Sequence, residues 1–209
     1  QNNPFTGASD EMAITYLGAY CHLLNSGAWS PNNYDPDIWG SMHEGIRKTN
    51  VFLENVRLVP MDDGERNKWI GEATFLRGFY HFILARMYGA IPISDHAYTL
   101  DEDYKKIRRK PVDQVVAFIV SDCDKAASLL DWKVTPDKYG RITKAAALAL
   151  KAEALLYMAS PLWNGNPDYT AFKDGEGVQL FPPYDKERWR RAATAAKECI
   201  DGAEANGYG

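Results

Sequence analysis

Aromatic side chains mixed with asparagine and aspartate gather in two stretches of this 209-residue chain. The first, residues 25–42, holds Trp29, Asn32, Asn33, Tyr34 and Trp39. The second, residues 160–184, holds Trp163, Asn164, Asp168 and Tyr169, with Asn166, Phe172, Phe181 and Tyr184 beside them. An aromatic face stacks on sugar C–H groups while amide and carboxylate side chains hydrogen-bond the hydroxyls, so the mixture suits carbohydrate. Each aromatic also has a structural alternative, which is to anchor a long loop to the body of the protein.

Other chemistries find no foothold. No Gly-x-x-x-x-Gly-Lys-Ser/Thr loop, Gly-x-Ser-x-Gly elbow or Gly-x-Gly-x-x-Gly turn occurs, which removes the nucleotide and nucleophile signatures with the clearest mechanics. His43-Glu44 opens like a zinc-protease helix, but Arg47 stands where the second imidazole is needed. Asn164, Asn166 and Asp168 alternate like the start of a calcium loop, yet Tyr169 replaces the turn glycine and no bidentate glutamate follows at the right distance. His81 lies inside an aromatic run and reads as a hydrogen-bonded packing residue. Glu72 and Glu153 neighbour aromatic or alanine-rich faces, where a carboxylate must find a cation; Arg77, Arg86, Arg141 and Lys151 are the candidates. No catalytic residue, metal ligand or cofactor site is assigned.

Twenty-four Lys and Arg against 28 Asp and Glu give a net charge of -4, which disfavours nucleic acid as a partner because phosphate binding needs a concentrated basic surface. The longest basic cluster, Lys105, Lys106, Arg108, Arg109 and Lys110, reads as a solvated loop before a helix. Cys21, Cys123 and Cys199 are too few and too widely spaced for a disulfide framework or a CxxC zinc site, and sit among apolar helical positions. No run of 18 apolar residues exists. The start, Gln1-Asn2-Asn3-Pro4, has no targeting character, so any such segment is expected to have been removed or to lie outside the sequence.

The periodicity that must position these residues is helical. Apolar positions predict helices over Ile46–Leu58, Glu65–Tyr88, Pro111–Leu130, Lys144–Met158 with Thr143 as N-cap, and Asp185–Ala203. Gly89 is a natural stop for the second, and Ser160-Pro161 for the fourth. Ile91-Pro92-Ile93 and Val178–Phe181 are the only strand candidates. A short turn joins the first two helices and residues 131–142 join the third and fourth, which predicts an all-α fold of tetratricopeptide-like stacked helix pairs, one continuous region over 1–209. The fifth helix then lacks a partner pair and is expected to expose an apolar stripe.

Several segments, in this order, resemble the SusD/RagB family of surface glycan-binding lipoproteins from Bacteroidetes nutrient-uptake systems. They are Ala8–Glu11, Gly27–Pro31 with Asp35–Trp39, Gly45–Val56, Gly71–Phe82 followed by Tyr88–Ile93, and Arg141–Ala152. The resemblance implies tetratricopeptide-like helix pairs, no catalytic activity and no cofactor. It further implies an outward loop surface holding an oligosaccharide or polysaccharide, and a SusC-like TonB-dependent transporter as partner at the cell-surface face of the outer membrane. Members carry a lipid on an N-terminal cysteine and are usually much longer; Cys21 is internal and does not fit that anchor, so the sequence is expected to be a fragment of a longer parent. Only the region Trp29 to Trp39 matches the family's sugar-contacting region in position. Trp29, Asn32, Asn33, Tyr34 and Trp39 are therefore the first candidate set, with Trp163, Asn164, Asp168 and Tyr169 the second. Arg47, Asn50, Glu72, Arg77, Arg141 and Lys144 match the family pattern and are assigned to the scaffold. A helical-repeat scaffold that binds a protein or peptide is the alternative function.

Overall fold

The computed structural model describes residues 4–16, 18–30, 32 and 37–208. Asn33 and Tyr34 of the first candidate set lie outside the described residues. Two compact units divide the chain, residues 1–40 and 41–209. The first contains two short helices, α1 (Pro4–Gly7) and α2 (Cys21–Asn25), which pack on each other; Asn25 Nδ2 donates to the Gly7 carbonyl at 3.1 Å.

Five longer helices follow: α3 (Trp39–Asn55), α4 (Asp63–Tyr88), α5 (Val112–Leu129), α6 (Lys144–Ala159) and α7 (Glu187–Ala205). Their ends have local causes. Asp62 accepts the Glu65 amide at 2.9 Å and starts α4, and Asp63 and Glu65 place negative charge in its first turn, where the helix dipole favours it. Gly89 ends it with φ +69, and a Cβ there would meet the Phe181 ring at 2.7 Å. Thr143 accepts the Ala146 amide at 3.4 Å and opens α6.

Two expectations are corrected. The first long helix begins at Trp39 rather than Ile46; just ahead of it Asp37 Oδ1 accepts the Trp39 amide at 3.0 Å. Neither strand candidate pairs as a strand: the segment around Ile91–Ile93 is irregular, and Val178–Phe181 contributes only an isolated bridge between Lys173 and Gln179.

Successive helices pack each on the next, α4 on α5, α5 on α6 and α6 on α7. This is the all-α, stacked helix-pair arrangement that the sequence predicts, with α7 partnered by α6. Gly45 brings α3 against the Tyr80 ring of α4, where an added Cβ would stand 2.8 Å away. Central α5 buries Val112, Val115, Ile119, Cys123 and Ala126, the stripe read from periodicity. Ala126, Ala127 and Leu130 pack with Ala147 and Leu148 of α6, while Phe75, Trp132, Ile142 and Cys199 close the edge of that cluster. Burial pushes the Cys123 thiol up to about 12, leaving it an inert packing group.

Charged groups tie the layers together. Arg141 grips Glu72 bidentately at 2.7 and 2.6 Å. Arg86 faces Glu153 at 3.7 Å, and Lys151 spans Asp124 at 2.9 Å and Glu198 at 3.1 Å. Arg77 takes a partner that periodicity does not reveal, Asp122 of α5, at 2.8 and 2.7 Å. No helix among the described residues is long and apolar enough to cross a membrane.

Candidate functional site

In the first unit, Trp29 sits just past α2, where its amide and that of Ala28 both donate to the Leu23 carbonyl at 3.0 Å. This fold-back fixes the backbone and leaves the indole 44% exposed, free to present a ring face. Asn32 is exposed, and Trp39 is half-buried in the first turn of α3.

In the second unit, residues 160–184 leave α6 and return to α7. The chain turns back at once: the amides of Trp163 and Asn164 donate to the Ser160 carbonyl at 3.0 and 2.9 Å. That turn drives Trp163 inward, 4% exposed, edge-on to Tyr157 at 6.2 Å. Asn164 is equally buried. Its Oδ1 accepts the Asp185 amide at 2.8 Å and its Nδ2 donates to the Asp185 carbonyl at 3.0 Å, so it pins the start of α7 to the end of α6. Gly165 has φ +77, and a Cβ there would press on the Tyr184 backbone at 2.8 Å. Trp163 and Asn164 are thus both placed inward, the ring against Tyr157 and the amide on the Asp185 backbone.

Asp168 and Tyr169 are placed differently. Asn166 Oδ1 accepts the Asp168 amide at 3.0 Å, leaving the Asp168 side chain exposed. Tyr169 is half-buried and joins an aromatic cluster with Phe181 at 4.5 Å and Phe172 at 5.5 Å. Two aromatics outside the candidate sets are the exposed ones here, Phe172 at 52% and Tyr184 at 67%. Sequence reasoning passed over them because Trp-Asn looks more like a sugar platform than an isolated Phe or Tyr.

The polar interior serves the scaffold. Asn50 Nδ2 donates to the carbonyls of Ser94 and His96 at 3.0 and 2.9 Å, and its Oδ1 accepts from Arg77 at 3.0 Å. His81 Nδ1 lies 2.8 Å from the Arg77 carbonyl, and its Nε2 accepts the Ser94 amide at 3.2 Å. That pattern requires a neutral ring, and burial holds its pKa down at about 4. Among the described residues, no group of three or more His, Cys, Asp and Glu is arranged to hold a metal ion.

A helical repeat whose layers are tied by paired charges, and whose loops offer exposed rings beside amides and carboxylates, has the makings of a binding scaffold. The family model described as starch-binding and associating with the outer membrane matches residues 2–156, and the chain belongs to this SusD-like family. SusD-like protein P2 of Formosa agariphila is 29% identical over 124 residues, which is 59% of this chain and 23% of that protein. Among solved structures, BT4246 is 33% identical with a TM-score of 0.81, over 90% of this chain and 33% of its own. A SusD-like protein of Bacteroides fragilis, 24% identical with a TM-score of 0.63 over 78% of this chain and 26% of its own, shares the fold. The chain thus spans about a quarter of the curated relative and a third of BT4246.

Proposed function

We propose that the chain is the helical part of a non-catalytic, cell-surface glycan-binding protein that passes oligosaccharide to a SusC-like TonB-dependent transporter in the outer membrane. Membership of a family described as starch-binding carries the reading, and the exposed rings of its loops supply the chemistry. Trp29, Asn32, Asn33, Tyr34 and Trp39 form the proposed contact set in the first unit, and Asp168 and Tyr169 in the second. The exposed Phe172 and Tyr184 extend that second set, while Trp163 and Asn164 hold its loop in place. Affinity electrophoresis against a panel of neutral polysaccharides tests this. Retention by at least one polymer, weakened about tenfold by Trp29→Ala or by Phe172→Ala with Tyr184→Ala, is expected, since a lost stacking contact removes roughly 1–1.5 kcal/mol. Indifference of every polymer would sink it, and co-purification with a TonB-dependent barrel tests the transporter half.

One observation favours a second reading, a scaffold for a protein or peptide. A groove of about 730 Å³ runs along α5, α6 and α7, floored by Val116, Val120, Leu155 and Met158. Its charged rim is paired, Asp113 with Arg188, Glu198 with Lys151, Arg190 with Glu187 and Arg191 with Asp185, so what the groove offers is mainly apolar. Under this reading Val120→Lys abolishes partner capture, and Trp29→Ala leaves it intact.

A further inference from the structure

The segment between α4 and α5 folds around a cleft of about 370 Å³, within the size range of small-ligand pockets. The rings of Tyr98 and Tyr104 stand in its wall, and Lys106, Arg108 and Lys110 line the same space. Backbone bonds hold this basic stretch in shape. The Lys110 amide donates to the Ile91 carbonyl at 2.9 Å, and the Ile107 amide to the Tyr104 carbonyl at 3.1 Å. Arg109 turns away from the cleft to donate to the Ala90 carbonyl at 2.9 Å.

The two acids in the cleft are already engaged. Glu102 accepts the Thr99 amide at 2.8 Å through Oε1, and its Oε2 faces His96 Nε2 at 2.9 Å. The second nitrogen of His96 faces Asp95 Oδ1 at 2.8 Å, and a ring between two carboxylates bonds both only as an imidazolium. Asp103 Oδ1 accepts the Lys105 amide at 3.1 Å. The cations are not so occupied. The ammonium groups of Lys106 and Lys110 have no hydrogen bond or ion pair among the described residues, and Arg108 spends one nitrogen on backbone carbonyls while its charge has no counter-ion. In a chain of net charge -4, this is a local positive field beside a Tyr104 ring that is 72% exposed and, among the described residues, stacked on no other ring.

From this juxtaposition we infer that the 93–110 cleft binds an anionic sugar, one carrying a carboxylate or a sulfate, with its ring against Tyr104 and its charge between Lys106 and Lys110. The class of ligand rests on the glycan-binding reading; the site is separate from the residues proposed there. Charge-assisted bonds to the acidic group supply selectivity over neutral sugars, and the ring contact distinguishes the site from a diffuse basic patch.

Affinity electrophoresis in polygalacturonate, dextran sulfate and neutral dextran tests the inference, using the chain and three variants: Lys106→Gln with Lys110→Gln, Tyr104→Ala, and Trp29→Ala. All these side chains are exposed, and circular dichroism verifies that each variant folds. Retention by one of the acidic polymers, weakened about tenfold or more by the lysine pair and by Tyr104→Ala and absent in dextran, is expected; which polymer retains the chain tells carboxylate from sulfate. No retention by either acidic polymer, or retention indifferent to the lysines or to Tyr104, overturns the inference. A chain that ignores acidic polymers yet binds a neutral one through Trp29 loses this inference and keeps the glycan-binding reading. Binding of acidic polymers through Lys106 and Lys110, with no neutral glycan retained, keeps the inference and removes the Trp29 site.

Discussion

Arg77 joins more of the scaffold than any other side chain described above: Asp122 of α5, Asn50 of α3, the Asp95 carbonyl at 2.9 Å, and the Phe118 ring at 5.1 Å. Its carboxylate partner is 5% exposed. Burial holds the Asp122 carboxyl above its ordinary value against the pull of Arg77, so the pair gains little over an apolar replacement, although losing one member strands a buried charge. Asp122→Ala is accordingly expected to cost about 3–5 kcal/mol in urea unfolding, and adding Arg77→Met should return part of that loss. Equal losses in single and double variants would refute the account. The two histidines nearby respond to pH in opposite senses. His81 stays neutral in the folded chain down to about pH 4, whereas its ordinary value is 6.5. The unfolded chain takes up that proton first, so the contribution of His81 is whole above about pH 6.5 and is lost as pH falls toward 4, by about 3 kcal/mol. His96 is raised by its hydrogen bonds to Asp95 and Glu102; its contribution is whole below about pH 6.5 and disappears as pH rises through its higher folded value. Urea midpoints from pH 7 to pH 4 should fall with a slope that His81→Gln flattens, and imidazole NMR should place His96 above the ordinary value. A slope indifferent to His81→Gln would count against the buried neutral ring.

At the scale of elements, helix ends offer the sharpest tests because each rests on one contact. Asp62 bonds the Glu65 amide at 2.9 Å, but Thr143 reaches the Ala146 amide only at 3.4 Å. Asp62→Ala should therefore cost about 1 kcal/mol, and Thr143→Ala visibly less; equal midpoint shifts in thermal unfolding would show that cap distance is not what matters. Gly89→Ala must hold a side chain at φ +69 and displace Phe181, a loss of about 1–3 kcal/mol from the backbone conformation before the ring moves. The ends at Gly89, Thr143 and Ser160-Pro161 were legible from sequence because Thr, Gly and Pro act on their immediate neighbours, whereas the start of α4 at Asp63 was expected at Glu65. The start of α3 was not legible, since its first turn lies within a polar, aromatic stretch that resembles an open loop. The inward placement of Asn164 was hidden for a longer-range reason: its partner, Asp185, meets it only after the 160–184 excursion has closed. The Arg77–Asp122 pair was hidden likewise, because helix periodicity marks Asp122 simply as a polar residue beside the apolar Cys123. Local chemistry fixes elements; which loop residues face outward depends on where the chain returns.

For the molecule as a whole, α7 decides what surface is left over. The single apolar face expected for this helix divides in two. Ala192 and Ala195 are buried, with Cys199 half-buried at the α6 contact, while Trp189, Ala193 and Ile200 remain exposed. Steps of four and seven residues put those three on one line along the helix, with Trp189 at 42% and Ile200 at 56% exposure. Arg188, beside Trp189 in sequence, is held inward by Asp113 at 2.5 Å, so the helix cannot rotate to hide the tryptophan without breaking that pair. A contiguous apolar line of this kind favours association in water, because covering it releases ordered solvent at no cost in folded structure. The chain should accordingly show a sedimentation coefficient that rises with protein concentration, and Trp189→Glu with Ile200→Glu should hold it at the monomer value. Slow exchange of the α7 amides should persist in that double variant, since the face against α6 is untouched. Sedimentation that is monomeric at every concentration in the unmodified chain would mean the stripe is too narrow to act, and would leave the α5–α7 groove as the larger apolar surface to examine.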